Sequence, residues 1–348
     1  IVIADADSIL TGGIYNTGTI SSTTADAVDI RDVDSEITGT IDNTGTMTAL
    51  DNVIENDGTI EAINNSGLME GGDAGIYLAS GSTLGSLVNS GTIKGTTYAL
   101  FVDAGATVTD GITNTGVLDG PVALAGSTLN LNGNSARVTG AVTGTATSEV
   151  YVNGTFSSED TFTVGHFEIA SGGVFNMAHD VTILSDATFL NKGVLSVAAG
   201  DTVTIVDGPY VQEAGGTFRV NVTDDTTYGK LVVNGTATLP GNARIAVNVA
   251  NPNFSFTTAL TNGMADIISA TTLNSDGTFS VTDNSVLFDF SAVKDDNTVD
   301  LTLAVAPIPD DDSVPAPSSG PAPQPAPTVG LVEAIVIAEG NTPATGAA

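Results

Sequence analysis

A seven-residue pattern recurs through the first third of the chain: an apolar residue, any residue, Asn, any residue, Gly, any residue and a second apolar residue. Its clear copies begin at Ile14, Ile41, Ile54, Ile63, Leu87 and Ile112. Five of the asparagines are successively 27, 22, 24 and 25 residues apart, and Asn56 falls between two of them as an extra half-step. Self-similarity at a period of roughly 20 to 50 residues is typical of solenoids and other repeat architectures.

The residue types indicate how such a repeat would fold. Asn and Gly tolerate the left-handed backbone conformation that we expect at tight corners, and the flanking Ile, Val and Leu alternate inward on short strands. Asparagine side chains that stack from coil to coil form hydrogen-bonded ladders. The sequence therefore predicts an all-β fold, a right-handed parallel β-solenoid (β-helix). The predicted structural ladder is formed by Asn16, Asn43, Asn65, Asn89 and Asn114.

The alternative is a meander of hairpins, since Asn-x-Gly is also a common hairpin turn. The spacing favours the solenoid, because the pattern returns after one coil rather than after the roughly 8 to 12 residues of a meander. With strands about 4.8 Å apart, roughly nine or ten coils over residues 1–205 would form a rod about 45 Å long. Between residues 121 and 191 the repeat blurs, and the pattern does not assign coil boundaries there.

Composition narrows the functional classes. The 40 Asp and Glu residues against 8 Lys and Arg give a formal net charge of −32. Nucleic acid is therefore an unsuitable partner, because phosphate binding requires clustered basic residues. Aromatic residues are 5% of the chain and Trp is absent, so we expect a core of Val, Ile, Leu and Ala. Cysteine is absent, so a secreted chain would rely on its core and its backbone hydrogen bonds.

The chain divides into four stretches. Residues 1–205 carry the solenoid coils, and residues 206–306 contain longer alternating strands that we interpret as a C-terminal, autochaperone-like solenoid cap. Such a cap hides the last layer of a solenoid and its strand edges. Residues 307–328 form a Pro-rich linker of extended, semi-rigid character. Residues 329–348 contain an apolar tail strand, a candidate docking segment.

The predicted cap carries the most specific resemblance to a known family. Tyr210 to Phe218 reads YVQEAGGTF, Tyr228 to Gly235 reads YGKLVVNG, and Leu287 to Phe290 reads LFDF. In this order, the segments resemble the autochaperone region of pertactin-like passengers of type V autotransporters. The resemblance implies a signal peptide, export through an outer-membrane β-barrel that is not present in this chain, and an extracellular or cell-surface location. The Gly-Asp-Ser-Gly motif of the protease branch does not occur.

Candidate catalytic and metal-binding residues are few. His166 and His179 are the two histidines of the chain, and neither lies in a sequence setting typical of a nucleophile paired with a histidine. Calcium is bound by clustered carboxylate oxygens, although the alternative for any acidic cluster is a solvated strand face. The chain requires no cofactor on this interpretation, and calcium is the one candidate ion. Its candidate ligands are Asp29, Asp32, Asp34 and Glu36.

The two ends of the chain resemble each other, since Ile1 to Asp5 reads IVIAD and Ile335 to Glu339 reads IVIAE. An apolar tail could pair with the open coil of a second copy by β-strand addition, and repetition without closure would yield a filament. Coincidence, or docking of the tail onto its own chain, are the alternatives. The residues of this assembly hypothesis are Ile1, Val2, Ile3, Leu331, Val332, Ile335, Val336 and Ile337.

Together these features predict a secreted or surface-displayed bacterial protein with a structural or adhesive role, and not an enzyme. Its expected partners are copies of itself, head to tail, and a cell-surface or glycan receptor. The main alternative is a polysaccharide-active β-solenoid enzyme, which would need clustered carboxylates with a nearby basic residue. The eight basic residues are scattered along the chain, which argues against that alternative. A simple barrier layer is the third interpretation.

Overall fold

The computed structural model describes residues 1–185, 187–250 and 263–306. They form an all-β fold, a parallel β-solenoid of about ten turns, so the predicted fold class is confirmed. These described residues contain no helix, and therefore no helix among them is long and apolar enough to span a membrane. The predicted linker (307–328) and tail strand (329–348) lie outside the described residues.

The strands are short, as expected where Thr, Val and Ile alternate between Gly-containing corners. The first part of the stack contains β1 (Val2–Ile3), β2 (Ile9–Leu10), β3 (Ile14–Asn16), β4 (Thr19–Ser21), β5 (Val28–Ile30), β6 (Glu36–Asn43), β7 (Thr46–Ala49), β8 (Ile54–Asn56), β9 (Thr59–Asn65), β10 (Leu68–Gly71), β11 (Ala74–Leu78), β12 (Thr83–Asn89), β13 (Thr92–Gly95), β14 (Tyr98–Val102), β15 (Thr107–Val108), β16 (Ile112–Asn114) and β17 (Val117–Asp119).

The same arrangement continues through the stretch in which the sequence repeat blurs. The middle of the stack contains β18 (Val122–Ala123), β19 (Thr128–Leu131), β20 (Arg137–Val138), β21 (Val142–Thr143), β22 (Glu149–Val152), β23 (Thr155–Ser157), β24 (Phe162–Val164), β25 (His166–Ile169), β26 (Val174–Met177), β27 (Val181–Ile183), β28 (Phe189–Asn191) and β29 (Val194–Val197).

Longer strands follow, as the alternation after residue 206 predicts. The last part of the stack contains β30 (Thr202–Val206), β31 (Tyr210–Gln212), β32 (Thr217–Val222), β33 (Lys230–Thr238), β34 (Ala243–Val249), β35 (Met264–Asn274), β36 (Phe279–Asp283), β37 (Phe288–Asp295) and β38 (Thr298–Val305).

These strands form three sheets. One sheet has 26 strands, and two further sheets have six strands each. The first six-stranded sheet contains β4, β7, β10, β13, β17 and β20, and the second contains β23, β26, β29, β32, β34 and β36. All pairings among the strands from β1 to β36 are parallel, and they join strands of neighbouring turns. At the end, β38 pairs antiparallel with β35 and with β37, so these last strands cover the edge that β35 would otherwise expose.

Strand pairing is interrupted between the two six-stranded sheets, because the first ends at β20 and the second begins at β23. Side chains bridge this boundary, which we call the seam. Asn153 Nδ2 donates to Asn132 Oδ1 over 2.8 Å, and Arg137 Nη2 donates to Glu159 Oε2 over 2.8 Å. The 26-stranded sheet continues across the same turns through the β18–β21 and β19–β22 pairings.

Apolar side chains from corresponding places in successive turns form columns inside the solenoid. One column is aliphatic at its start, where Ile41 pairs with Ile63 and Ile63 with Leu87, and all three are fully buried. It becomes aromatic later, where Phe167 pairs with Phe189 and Phe189 with Tyr210. Burying such side chains contributes roughly 1.5–3 kcal/mol each, so these columns are a main source of stability.

The expectation of a core of Val, Ile, Leu and Ala is therefore wrong for the second half of the stack. The Phe167 and Phe189 rings stack with centroids 4.9 Å apart, and the Phe156 and Phe175 rings stack at 6.1 Å. Such pairs add roughly 0.5–1.5 kcal/mol beyond their buried area. The low overall aromatic content concealed a local concentration of these residues between 156 and 218.

The glycines of the repeated motif also form a column, and for a different reason than the sequence suggested. None of Gly45, Gly67 and Gly91 has a positive φ, and neither do the motif asparagines, so the expectation of left-handed corners is wrong there. A Cβ added to Gly67 would instead overlap the backbone oxygen of Gly45, and one added to Gly91 would overlap that of Gly67. Glycine is required because consecutive turns approach each other too closely for a side chain.

Gly67→Ala tests this close approach. The added methyl group meets main-chain atoms that cannot move aside, so we expect a loss of roughly 1–3 kcal/mol, as for other overpacked sites. The matched control is Gly18→Ala, at the same place in the first copy of the motif, where an added Cβ meets nothing within 4 Å. That variant should keep the wild-type stability or gain up to about 1 kcal/mol. Chemical denaturation measures both, and equal losses would contradict the proposed cause.

Candidate functional site

The five predicted ladder asparagines lie in one buried column. The Nδ2 group of each of the first four donates to the Oδ1 atom of the asparagine one turn further on, over 2.7, 2.8, 2.9 and 2.8 Å. Each amide also donates to a backbone carbonyl of the next turn; for example, Asn65 Nδ2 donates to the oxygen of Thr92 over 3.0 Å. The amides therefore link the corner of one turn to the strand that follows the corner in the next turn. These bonds also satisfy polar atoms that the stacking buries.

The ladder stops at Asn114, because the next residue in register is Leu131. Asn56, the extra half-step, is in register with Ile30 and Leu78. It therefore lies on a different side of the turn, where its Nδ2 donates to the Thr83 oxygen over 3.2 Å.

A second buried polar column begins further along, at Asn191, where the sequence Asn191-Lys192-Gly193 repeats the Asn-x-Gly corner. Asn191 Nδ2 donates to the Tyr210 hydroxyl over 3.1 Å, and that hydroxyl donates to Gln212 Oε1 over 3.3 Å. Asn191 Oδ1 has no hydrogen-bond partner among the described residues. The residue in register one turn earlier is Ile169, which offers no side-chain donor.

Asn65→Ala tests the ladder at its middle rung. The change leaves Asn89 Oδ1 without its donor and one N–H of Asn43 without its acceptor, at about 1–3 kcal/mol for each orphaned group. Asn64→Ala is the control, because Asn64 lies on the same strand, is exposed, and makes one side-chain bond to Asp42. Its effect should stay within about 0.5 kcal/mol. Equal urea midpoints for the two variants would refute a structural role of the ladder.

The structure does not bring the four candidate calcium ligands together. Asp29 is buried and paired with Arg31, whose Nε lies 2.6 Å from Asp29 Oδ2. Asp32 Oδ1 accepts the backbone N–H of Asp34 over 3.0 Å. Glu36 begins β6, a different strand from Asp29. Among the described residues, no group of three or more His, Cys, Asp or Glu side chains is arranged to hold a metal ion.

A row that sequence spacing missed runs along the outer side of the large sheet. Asp29 is in register with Glu55, Glu55 with Tyr77, and Tyr77 with Phe101. The Tyr77 and Phe101 rings stack, with centroids 5.0 Å apart and planes 15° apart. We call this row, together with the adjacent Asp26, the acidic–aromatic face. Aligning the repeats by their ladder asparagines would have brought Glu55, Tyr77 and Phe101 together, because each follows a ladder asparagine by 12 residues, but it would have placed Asp29 one residue out of register.

Glu55 is the most perturbed carboxyl of this face. Burial, the charge of Asp26 and a hydrogen bond with Asp26 raise the pKa of Glu55 to about 7, against a weaker lowering effect of the hydrogen bond from Asn52. Asp57 is affected in the same direction, since burial and then the charge of Asp29 raise its pKa. Glu55 is therefore largely protonated in mildly acidic solution.

Glu55→Gln makes the stability of the chain less dependent on pH. A carboxyl with a pKa raised by folding contributes stability that is fully present below its ordinary value of 4.5 and is lost as the pH rises through about 7. The melting temperature of the variant relative to wild type should therefore rise between these pH values and level off above them. Because Glu55 is partly solvated, the effect is on the order of 1 kcal/mol. Glu61→Gln, at an exposed carboxyl on β9, serves as control; parallel curves for the two variants would oppose this assignment.

The two histidines lie apart from each other on the stack. His166 Nε2 lies 3.7 Å from Glu168 Oε2, which also pairs with Lys192 Nζ at 3.0 Å. His179 contacts the backbone oxygen of Ser158 through Nδ1 at 3.3 Å, while its own backbone N–H donates to Ser158 Oγ. The serine hydroxyl near His179 thus bonds to main-chain atoms of that residue and not to its ring.

A groove of about 770 Å³ lies on the outer side of the second six-stranded sheet. Its lining is mainly uncharged and polar or small, with a single guanidinium from Arg219. The lining residues are Ser157, Asn176, Met177, Ala178, Ser196, Ala198, Ala199, Arg219, Asn221, Ala246, Val247, Asn248, Ala250 and Thr282. Because its members come from six strands, this groove was not visible as a sequence motif.

The residues of the assembly hypothesis divide into two groups. Val2 and Ile3 form β1, which pairs with β5. Ile1 and Val2 are about half exposed, at 51% and 53%, and the N-terminal amine donates to the Ala27 oxygen over 2.7 Å. The remaining residues of the hypothesis, Leu331, Val332, Ile335, Val336 and Ile337, lie outside the described residues.

No protein-family model matches this chain, and no curated protein matches it. The class of protein is therefore defined by the fold, a parallel β-solenoid.

Proposed function

We propose that the chain is a structural or adhesive rod displayed on or released from a bacterial surface, the passenger of a type V autotransporter. The observation that carries this proposal is the parallel stack itself, which runs from β1 to β36 with its polar and apolar columns aligned between turns. In such repeat proteins each unit contacts only its neighbours. The fold therefore presents extended lateral faces, which suits contact with large surfaces.

Composition supports an external location. The stack is stabilised without cysteine, through backbone pairing and buried columns. The charge of −32 keeps copies of the rod apart at low salt, whereas an external saline medium screens exposed charges beyond roughly 8 Å. The segments between Tyr210 and Phe290 that resemble autotransporter passengers add to this support.

Head-to-tail assembly is part of the proposal. The first residues of the chain, IVIAD, resemble the segment IVIAE that starts at Ile335. Ile1 and Val2 remain half exposed beside β5, so an added strand would bury apolar surface there. Main-chain hydrogen bonds would supply affinity and side-chain alternation would supply register.

One observation favours the alternative of a polysaccharide-active enzyme: the Glu55–Asp26 carboxyl pair lies beside the Tyr77–Phe101 ring stack. Its geometry argues the other way. The two carboxyl groups share a hydrogen bond, whereas the paired carboxyls of glycosidases are roughly 5 to 10 Å apart and enclose the scissile bond. The nearby basic residue, Arg31, is already paired with Asp29. The adhesive role is therefore the better supported one.

Immunogold electron microscopy of intact cells that produce the chain tests this function. Antibodies raised against residues 1–306 should label the outside of unpermeabilised cells, and head-to-tail assembly predicts gold particles in rows. Permeabilised cells and an antibody to an internal protein are the controls. Label that requires permeabilisation would overturn the surface location, and isolated particles in place of rows would overturn the assembly.

A further inference from the structure

The groove on the second six-stranded sheet is built from one register row and a flanking column. The register places Asn176 beside Ser196, Ser196 beside Arg219, and Arg219 beside Ala246. The row extends to Ser157 at one end and to Thr282 at the other. With strands about 4.8 Å apart, these six strands give the groove a length of roughly 24 Å.

An external asparagine column fixes one wall of the groove. Asn284 Nδ2 donates to Asn248 Oδ1 over 3.2 Å, and Asn248 Nδ2 donates to Asn221 Oδ1 over 2.7 Å. Asn221 Nδ2 in turn donates to Ser196 Oγ over 3.1 Å and to the Val197 oxygen over 2.6 Å. These bonds orient the amides before any ligand arrives, and preorganisation lowers the entropic cost of binding.

Among the residues that the structure describes, Arg219 is the only charged one that lines the groove. Within the described part of the chain, Arg31, Lys94, Arg137 and Lys192 form ion pairs with carboxylates, and Arg219 forms none. Its neighbours in the row are the neutral residues Ser196 and Ala246. A half-buried guanidinium with five N–H donors and no carboxylate partner is suited to bidentate binding of an incoming carboxylate.

The rest of the lining limits the class of ligand. Its amides and hydroxyls offer hydrogen bonds and its alanines add little steric bulk, while the larger apolar members Met177 and Val247 are buried. A protein partner would need a pocket for an aromatic or aliphatic anchor, which this lining does not provide. A polyanion would be repelled by the net charge of −32. A hydroxyl-rich ligand with a single carboxylate fits both conditions.

We propose that this groove binds a glycan that carries one carboxylated sugar, with the carboxylate on Arg219 and sugar hydroxyls on Asn176, Asn248 and Thr282. The inference deepens the proposed adhesive function, rests on it for its biological role, and supplies the chemical class of the receptor. A volume of about 770 Å³ lies within the usual range for small-ligand sites, roughly 300 to 1,000 Å³. The carboxylated sugar could be a terminal sialic acid or a uronic acid, and the experiment separates the two.

Titration calorimetry of the full chain tests the proposal with two charged probes, sialyllactose and glucuronyl-xylotriose, and two neutral ones, lactose and xylotetraose. At least one charged probe should bind, at least tenfold more tightly than its neutral counterpart. Arg219→Gln should weaken this binding at least tenfold. Arg244→Gln is the matched control, because Arg244 lies exposed on the adjacent strand β34 but does not line the groove; it should bind like wild type.

Melting temperatures within 2 °C of wild type, by circular dichroism, confirm that both variants are folded and that lost binding reflects the groove. The inference is overturned if neither charged probe binds, if neutral probes bind equally well, or if the two arginine variants lose binding to the same extent. If the glycan inference is wrong, calorimetry shows no Arg219-dependent binding, but the antibody still labels intact cells. If the proposed surface function is wrong, the label on intact cells is lost, but Arg219-dependent binding remains. The two results are therefore distinguishable.

Discussion

The close vertical contact between consecutive turns is the constraint on which the rest of this structure depends. Parallel pairing places each turn about 4.8 Å above the last, and at the motif corner the backbones leave no room for a Cβ on Gly45, Gly67 or Gly91. The same contact brings Asn43, Asn65 and Asn89 within hydrogen-bond distance. Glycine and asparagine recur together because one removes a clash and the other satisfies the polar atoms that this contact buries.

The sequence predicted the fold because this corner has a recognisable composition in the first turns. The prediction became vague after residue 121 although the stack continues. There the places that correspond to the ladder are occupied by Leu131, Val152 and Ile169, so the polar signal is lost while the backbone path is kept. The aromatic core was missed for a related reason, since Phe167 and Phe189 replace aliphatic residues of the same column without changing the inward alternation.

The candidate sites were harder to predict than the fold. The calcium prediction relied on carboxylates that are close along one stretch of chain, Asp29 to Glu36. In a solenoid, lateral neighbours come from different turns. The proximity of Glu55 to Tyr77 and of Arg219 to Ser196 can therefore be predicted only when the register between turns is known. The exact number of residues in each turn sets that register, and this number varies from turn to turn. The Asn ladder was accessible because its members mark the register themselves.

The seam interrupts main-chain pairing on one side of the solenoid, and this interruption has a mechanical consequence. On one side of the stack, cohesion between the two halves relies on contacts such as the Arg137–Glu159 ion pair, whereas main-chain pairing continues in the large sheet. Exposed ion pairs contribute little, and stacked repeats open where a nearest-neighbour interface is weakest. We therefore expect a solenoid pulled from its two ends to begin to part there. An early rupture at this joint would dissipate load while the turns on either side remain folded.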